Sequence, residues 1–102
     1  MSAKLPAEYL RYLEAGSDVG ETEGEPGYFQ LWHPEEIDEM NCGYRVAEYA
    51  PGFLGFGSDG GGEMLAFDRV GAVFMLPFVG MSPKEAKKIG SSWSEVAARI
   101  LA

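Results

Sequence analysis

Cys42 and His33 are each the sole residue of their type in this sequence, and a thiol beside an imidazole is the smallest nucleophile–base pair that could run covalent chemistry. Nothing in the spacing enforces their contact. The simpler reading is a small buried thiol and a histidine at a helix start. Glu35 and Glu39 stand one helical turn apart, as acid–base carboxylates would, but four acids in the five positions 35–39 read as a solvated helix face. Gly55-Phe56-Gly57-Ser58-Asp59-Gly60 formally matches the G-x-G-x-x-G of dinucleotide sites. That motif needs a helix N-terminus after it to hold the pyrophosphate, whereas Glu63-Met64-Leu65-Ala66-Phe67 reads as a strand. The expected element is a glycine-rich hairpin loop. Asp59 and Glu63 could offer oxygens to a cation, yet the EF-hand pattern is absent and the glycines add no ligands. No catalytic, cofactor or metal constellation is therefore expected, and the chain reads as a non-enzyme.

The elements that must carry these residues follow from periodicity and punctuation. Leu5, Tyr9, Leu10 and Leu13 recur at helical spacing between Pro6 and Gly16, which predicts a first helix over 6–15. Residues 16–27 are rich in glycine and acids and predict a solvated loop. Tyr28 to Trp32 predicts a strand, and His33-Pro34 opens a short helix with acids in its first turn. Tyr44 to Ala50 predicts a short helix stopped by Pro51-Gly52. Residues 53–56, 63–68 and 72–78 predict an antiparallel meander, followed by a loop through Gly90. Ser92, with Glu95 three residues on, caps a last helix whose apolar face is Trp93, Val96, Ala97, Ile100 and Leu101.

The chain has 102 residues, 46% of them hydrophobic, which predicts one domain over 1–102 with an aromatic-rich core. Its net charge of −8 is unevenly spread: residues 1–63 carry 13 acids and 3 bases, residues 64–102 carry 3 acids and 5 bases. That balance opposes nucleic-acid phosphates and anionic lipid, so direct nucleic-acid or membrane binding is not expected. Lys84, Lys87 and Lys88 read as solvated surface offsetting the acidic half. One cysteine gives no internal disulfide framework, one histidine no multi-His/Cys metal cluster, and neither a signal segment nor a membrane span is evident. A cytoplasmic setting is expected.

The order of pieces is itself informative: Leu5-Pro6-Ala7-Glu8-Tyr9-Leu10, then Phe29-Gln30-Leu31-Trp32 leading into an acidic helix, Tyr44, Glu48-Tyr49 and Pro51-Gly52-Phe53-Leu54. Phe56 to Glu63, Ala66-Phe67-Asp68, the Val73 to Pro77 strand and Ser92-Trp93-Ser94-Glu95 complete it. Over nearly its whole length the chain resembles the SUKH superfamily, specifically its SMI/KNR branch. The resemblance implies an α+β fold, a single domain in which an antiparallel-rich sheet has N-terminal and C-terminal helices packed against it. It implies no catalytic residues and a protein-binding role. Bacterial members are linked to immunity proteins that neutralise partner toxins, and fungal members to regulatory scaffolds of cell-wall synthesis.

The function expected is thus a protein-binding domain of the immunity type, whose acidic surface docks a basic toxin domain. The residues expected at that surface are Glu35, Glu36, Asp38 and Glu39, with Asp59 and Glu63 beside them. Trp32 is a candidate anchor as well as a candidate core residue. A regulatory or scaffold module, and a small-ligand binder near the glycine loop, are the alternatives. In this fold Gly60 to Gly62 are expected to adopt positive φ or let backbones pass closely, so that Gly61→Val would destabilise the loop.

Overall fold

Helix α1 (Ala7–Ala15) forms where the apolar spacing predicts it. Pro6 stands just before it, where a missing N–H costs nothing, and its carbonyl accepts from the amides of Tyr9 and Leu10 at 3.1 Å. The computed structural model describes residues 5–101. These form one antiparallel sheet of six strands in the order β1 to β6, each paired with its neighbour in sequence: β1 (Val19–Glu21), β2 (Tyr28–Leu31), β3 (Leu54–Ser58), β4 (Glu63–Phe67), β5 (Val73–Pro77) and β6 (Lys87–Gly90). Between β2 and β3 lie a 3-10 turn (Pro34–Glu36), helix α2 (Ile37–Gly43) and helix α3 (Val46–Tyr49); α4 (Trp93–Ala97) follows β6. The architecture is α+β. Among the described residues no helix is long and apolar enough to cross a membrane.

Alternation along the strands sorts the side chains onto two faces. Phe29, Leu31, Phe56, Leu65, Phe67, Val73 and Met75 point to one, where Tyr9 of α1 and Trp93 and Val96 of α4 close the larger core. Met64, Ala66 and Leu76 point to the other, covered by Val46 and Ala50 of the α3 segment and by Met81. Tyr9 and Trp93 are both fully buried, and among the described residues neither the Tyr9 hydroxyl nor the Trp93 Nε1 has a hydrogen-bond partner. Burial drives the Tyr9 pKa upward, with the nearby Tyr12 and Asp18 adding to the shift.

Three expectations from sequence are corrected. The predicted acidic loop holds β1, which pairs with β2 through Val19↔Gln30, Gly20↔Phe29 and Glu21↔Tyr28. Gly20, poor in strand propensity, is what the pairing needs: a Cβ there would lie 2.8 Å from the Phe29 ring. The loop before Gly90 likewise contains β6, whose Lys88 and Lys87 pair with Phe74 and Met75. Charged residues are characteristic of an edge strand, and they concealed it. The last helix stops at Ala97, because the chain beyond it turns to backbone pairing with β1: the Glu23 amide donates to the Arg99 carbonyl and the Leu101 amide to the Glu21 carbonyl, both at 2.8 Å. Leu101 is consequently 53% exposed and not part of an apolar helix face. The Ser92 cap forms as expected, its Oγ accepting from the Glu95 amide at 3.2 Å.

Candidate protein-binding surface

The acidic run is displayed by a single buried anchor. Ile37 is buried in the larger core, while Glu35, Glu36, Asp38 and Glu39 are all exposed around it. Two local devices fix this segment. The His33 amide donates to Glu36 Oε1 at 3.1 Å, closing the start of the turn. Asn41, one helical turn on from Ile37, clamps α2 to the sheet: its Nδ2 donates to the Gly55 carbonyl at 2.9 Å and its Oδ1 accepts from the Gly55 amide at 2.7 Å. Both bonds reach β3 where its register with β4 shifts between Gly55 and Gly57. Such an irregularity frees backbone groups that the ladder would otherwise use, and Asn41 satisfies them.

Trp32 is half-buried and packs against both core clusters. Its indole stacks on Tyr44, ring centroids 6.1 Å apart and planes at 11°, and Tyr44 meets Phe78 at 4.6 Å. Tyr44 is 41% exposed. The result is a row of three aromatics, the residues that directly follow β2, α2 and β5. Sequence spacing could not have linked them, since they lie far apart along the chain and only tertiary packing brings the rings together.

Asp59 and Glu63 lie in the β3–β4 hairpin, in a different electrostatic setting from the α2 acids. Asp59 Oδ1 accepts from the amides of Gly61 at 2.8 Å and Glu63 at 3.2 Å, so that carboxylate closes the turn. Among the described residues no group of three His, Cys, Asp or Glu could hold a metal ion. Glu63 has a raised pKa, first because it is partly desolvated and then because Asp59, Glu25 and Glu85 repel its charge; Lys87 opposes them. None of the four acids at 35–39 is among its charged neighbours. Lys87 Nζ meets Glu25 Oε1 at 2.6 Å on the surface, so one member of the lysine cluster tethers the 22–27 loop.

The Glu63 environment has a signed consequence. The folded carboxyl keeps its proton to higher pH than the unfolded one, so the group's favourable contribution is complete below the unfolded pKa and is lost as pH rises through the raised folded value. At pH 7 the charged form is a burden on the fold. Glu63→Gln is expected to raise the melting temperature at pH 7, with the gain shrinking to nothing near pH 3; thermal melts across that range check it, and a pH-independent difference would refute the assignment.

The other candidate chemistry separates. Cys42 is exposed, not buried as the sequence suggested, because it falls on the outward side of α2. His33 Nε2 faces Asp18 Oδ2 at 3.7 Å, an exposed pair that sequence reading missed. The glycine motif lies in β3 and the hairpin, with a strand after it, so it has no helix N-terminus to offer a pyrophosphate. Of Gly60 to Gly62 only Gly60 has positive φ, at +80°. The close approach of backbones occurs instead at Gly57, where a Cβ would lie 2.5 Å from the Gln30 carbonyl oxygen and 3.2 Å from Leu31 Cα.

No curated protein matches the chain at a significant level. A family model described as SMI1 / KNR4 family (SUKH-1) matches residues 1–99. With that match running through α1, the whole sheet and α4, the chain belongs to the SMI1 / KNR4 family (SUKH-1).

Proposed function

We propose that this chain is a non-enzymatic protein-binding domain of the immunity type, which docks and neutralises a basic toxin domain in the cytoplasm. The observation that carries the reading is the outward presentation of Glu35, Glu36, Asp38 and Glu39 around the buried Ile37, on a segment held rigid by Asn41. A fixed array of like charges with no lysine or arginine among residues 33–44 raises the encounter rate with a cationic partner and selects against acidic ones. Trp32 supplies apolar area at the margin of that array, and Asp59 with Glu63 extends the negative field from the hairpin. The net charge of −8 adds to the attraction at long range.

The test is association kinetics with a toxin encoded beside this chain. Reversing Glu35, Glu36, Asp38 and Glu39 to lysine together is expected to slow association by roughly ten-fold or more at low ionic strength and to flatten its dependence on salt. Unchanged association rate and salt slope would remove this surface from the interface.

A further inference from the structure

A second feature adjoins the acidic segment. Between α1 and the His33-Pro34 corner lies an open cleft of about 670 Å³, within the roughly 300–1,000 Å³ typical of ligand sites. Leu10, Leu13 and Pro34 give it apolar walls, and Glu14, Asp18 and His33 stand among them. Leu10 is 40% exposed. The α1–β1 connection that forms one side is held by three hydrogen bonds: the Tyr12 hydroxyl donates to the Ser17 carbonyl at 2.9 Å, the Gly16 amide to the Tyr12 carbonyl at 2.6 Å and the Leu31 amide to the Asp18 carbonyl at 2.6 Å. A Cβ on Gly16 would lie 2.6 Å from the Tyr12 ring, so the glycine lets that ring close against the connection. A cleft already built in this way loses little conformational freedom when it is filled.

We propose that this cleft is the apolar docking groove of the interface and that its occupant is a protein segment carrying one or two aliphatic side chains flanked by lysine or arginine. The inference deepens the protein-binding reading and rests on it. Charge selects the occupant: among the described residues no lysine or arginine lines the cleft, Glu14 and Asp18 do, and Glu35 and Glu36 follow Pro34 directly. The groove thus runs into the acidic segment, and a partner steered by residues 35–39 reaches apolar walls beside them. Steering charges set encounter rates, whereas slow dissociation needs desolvated apolar anchors. The sequence alone concealed the groove, since its parts come from α1, the α1–β1 connection and the His33-Pro34 corner after β2.

The test is a nuclear magnetic resonance titration of the full chain with three capped heptapeptides. One has two leucines flanked by lysines and arginine, the second has serines in place of the leucines, and the third has glutamates in place of the basic residues. The basic leucine peptide is expected to shift the amides of Leu10, Leu13, Ser17 and His33 and to bind at least ten-fold more tightly than either control. Leu10→Ser, and separately Glu14→Lys with Asp18→Lys, are expected to weaken it by ten-fold or more; these positions are exposed, and preserved spectral dispersion verifies the fold. Equal binding of the acidic peptide, shifts centred on residues 35–39 or on the Trp32 row, or no shifts at millimolar peptide would each overturn the proposal. So would sedimentation showing a dimer that buries Leu10, which would assign the groove to a second copy. Failure of toxin association with both the 35–39 reversal and the wild-type chain would remove the immunity reading, while the peptide result would still decide the groove.

Discussion

Gly57→Ala is expected to destabilise the protein by about 3 kcal/mol, the upper range for overpacking a rigid site, and so to lower the melting temperature by roughly 12–24 °C in a domain of this size. The added methyl would meet the Gln30 carbonyl oxygen at 2.5 Å and Leu31 Cα at 3.2 Å. Both obstacles are backbone atoms of β2, paired to β3 through Gln30↔Ser58 and Leu31↔Gly57. No rotamer change relieves the clash, so the strands must part. The loss propagates: the Trp32 amide, which donates to the Phe56 carbonyl at 2.9 Å, depends on the same spacing. Gly62→Ala is the control. It has no atom within 4 Å of the new methyl and no positive φ, and restricting the unfolded chain there is expected to leave stability unchanged or raise it by up to about 1 kcal/mol. Paired thermal melts decide the matter; equal midpoints for the two variants would discard the close-approach account. Gly61, the position sequence reasoning would have chosen, meets only the Asp59 carboxylate at 3.4 Å and is not a strain site.

Trp93→Ala is expected to cost about 3–5 kcal/mol, comparable with the roughly 5–15 kcal/mol that holds a typical domain folded. Trp93 is 1% exposed, and Tyr9, Tyr12, Phe29 and Phe56 surround it edge-on with ring centroids 5.2–5.8 Å away. Those rings come from α1, β2 and β3, so one side chain of a five-residue helix joins three elements. Its removal leaves a cavity that rigid aromatic walls close only partly. Urea titration measures the loss, and a destabilisation below about 1.5 kcal/mol would show that the cluster does not depend on its central ring. Trp93→Phe, which keeps an aromatic ring in the space, is expected to recover part of the difference.

These two positions show what the sequence makes legible. Trp93 announces itself through its cap, since Ser92 and Glu95 mark a helix start and local chemistry alone requires it. The β3–β5 meander is equally readable, because its apolar runs are bounded by glycine and aspartate turns. β1 and β6 were hidden because edge strands carry the glycines, acids and lysines that propensity assigns to loops. The end of α4 is not legible because apolar residues at helical spacing also suit the irregular chain that reaches back to Thr22, where Ile100 forms an isolated antiparallel bridge. For the candidate surface, the acids at 35–39 could be read directly from composition. The aromatic row Trp32, Tyr44 and Phe78 and the cleft beside Leu10 could not, since each is assembled by tertiary packing from residues with no sequence relation.

Strand order also governs how the chain reaches this state. With β3, β4 and β5 each hydrogen-bonded to the next across short turns, these strands can zip successively and little loop-closure entropy has to be met before contacts reward it. Longer closures include the pairing of β2 with β3 across α2 and α3, the bridge between Thr22 and Ile100, and the meeting of Tyr9 with Trp93. A nascent polypeptide can therefore form the β3–β5 meander early, yet it completes its larger core only once Trp93 and Val96 have emerged to meet α1 and the sheet.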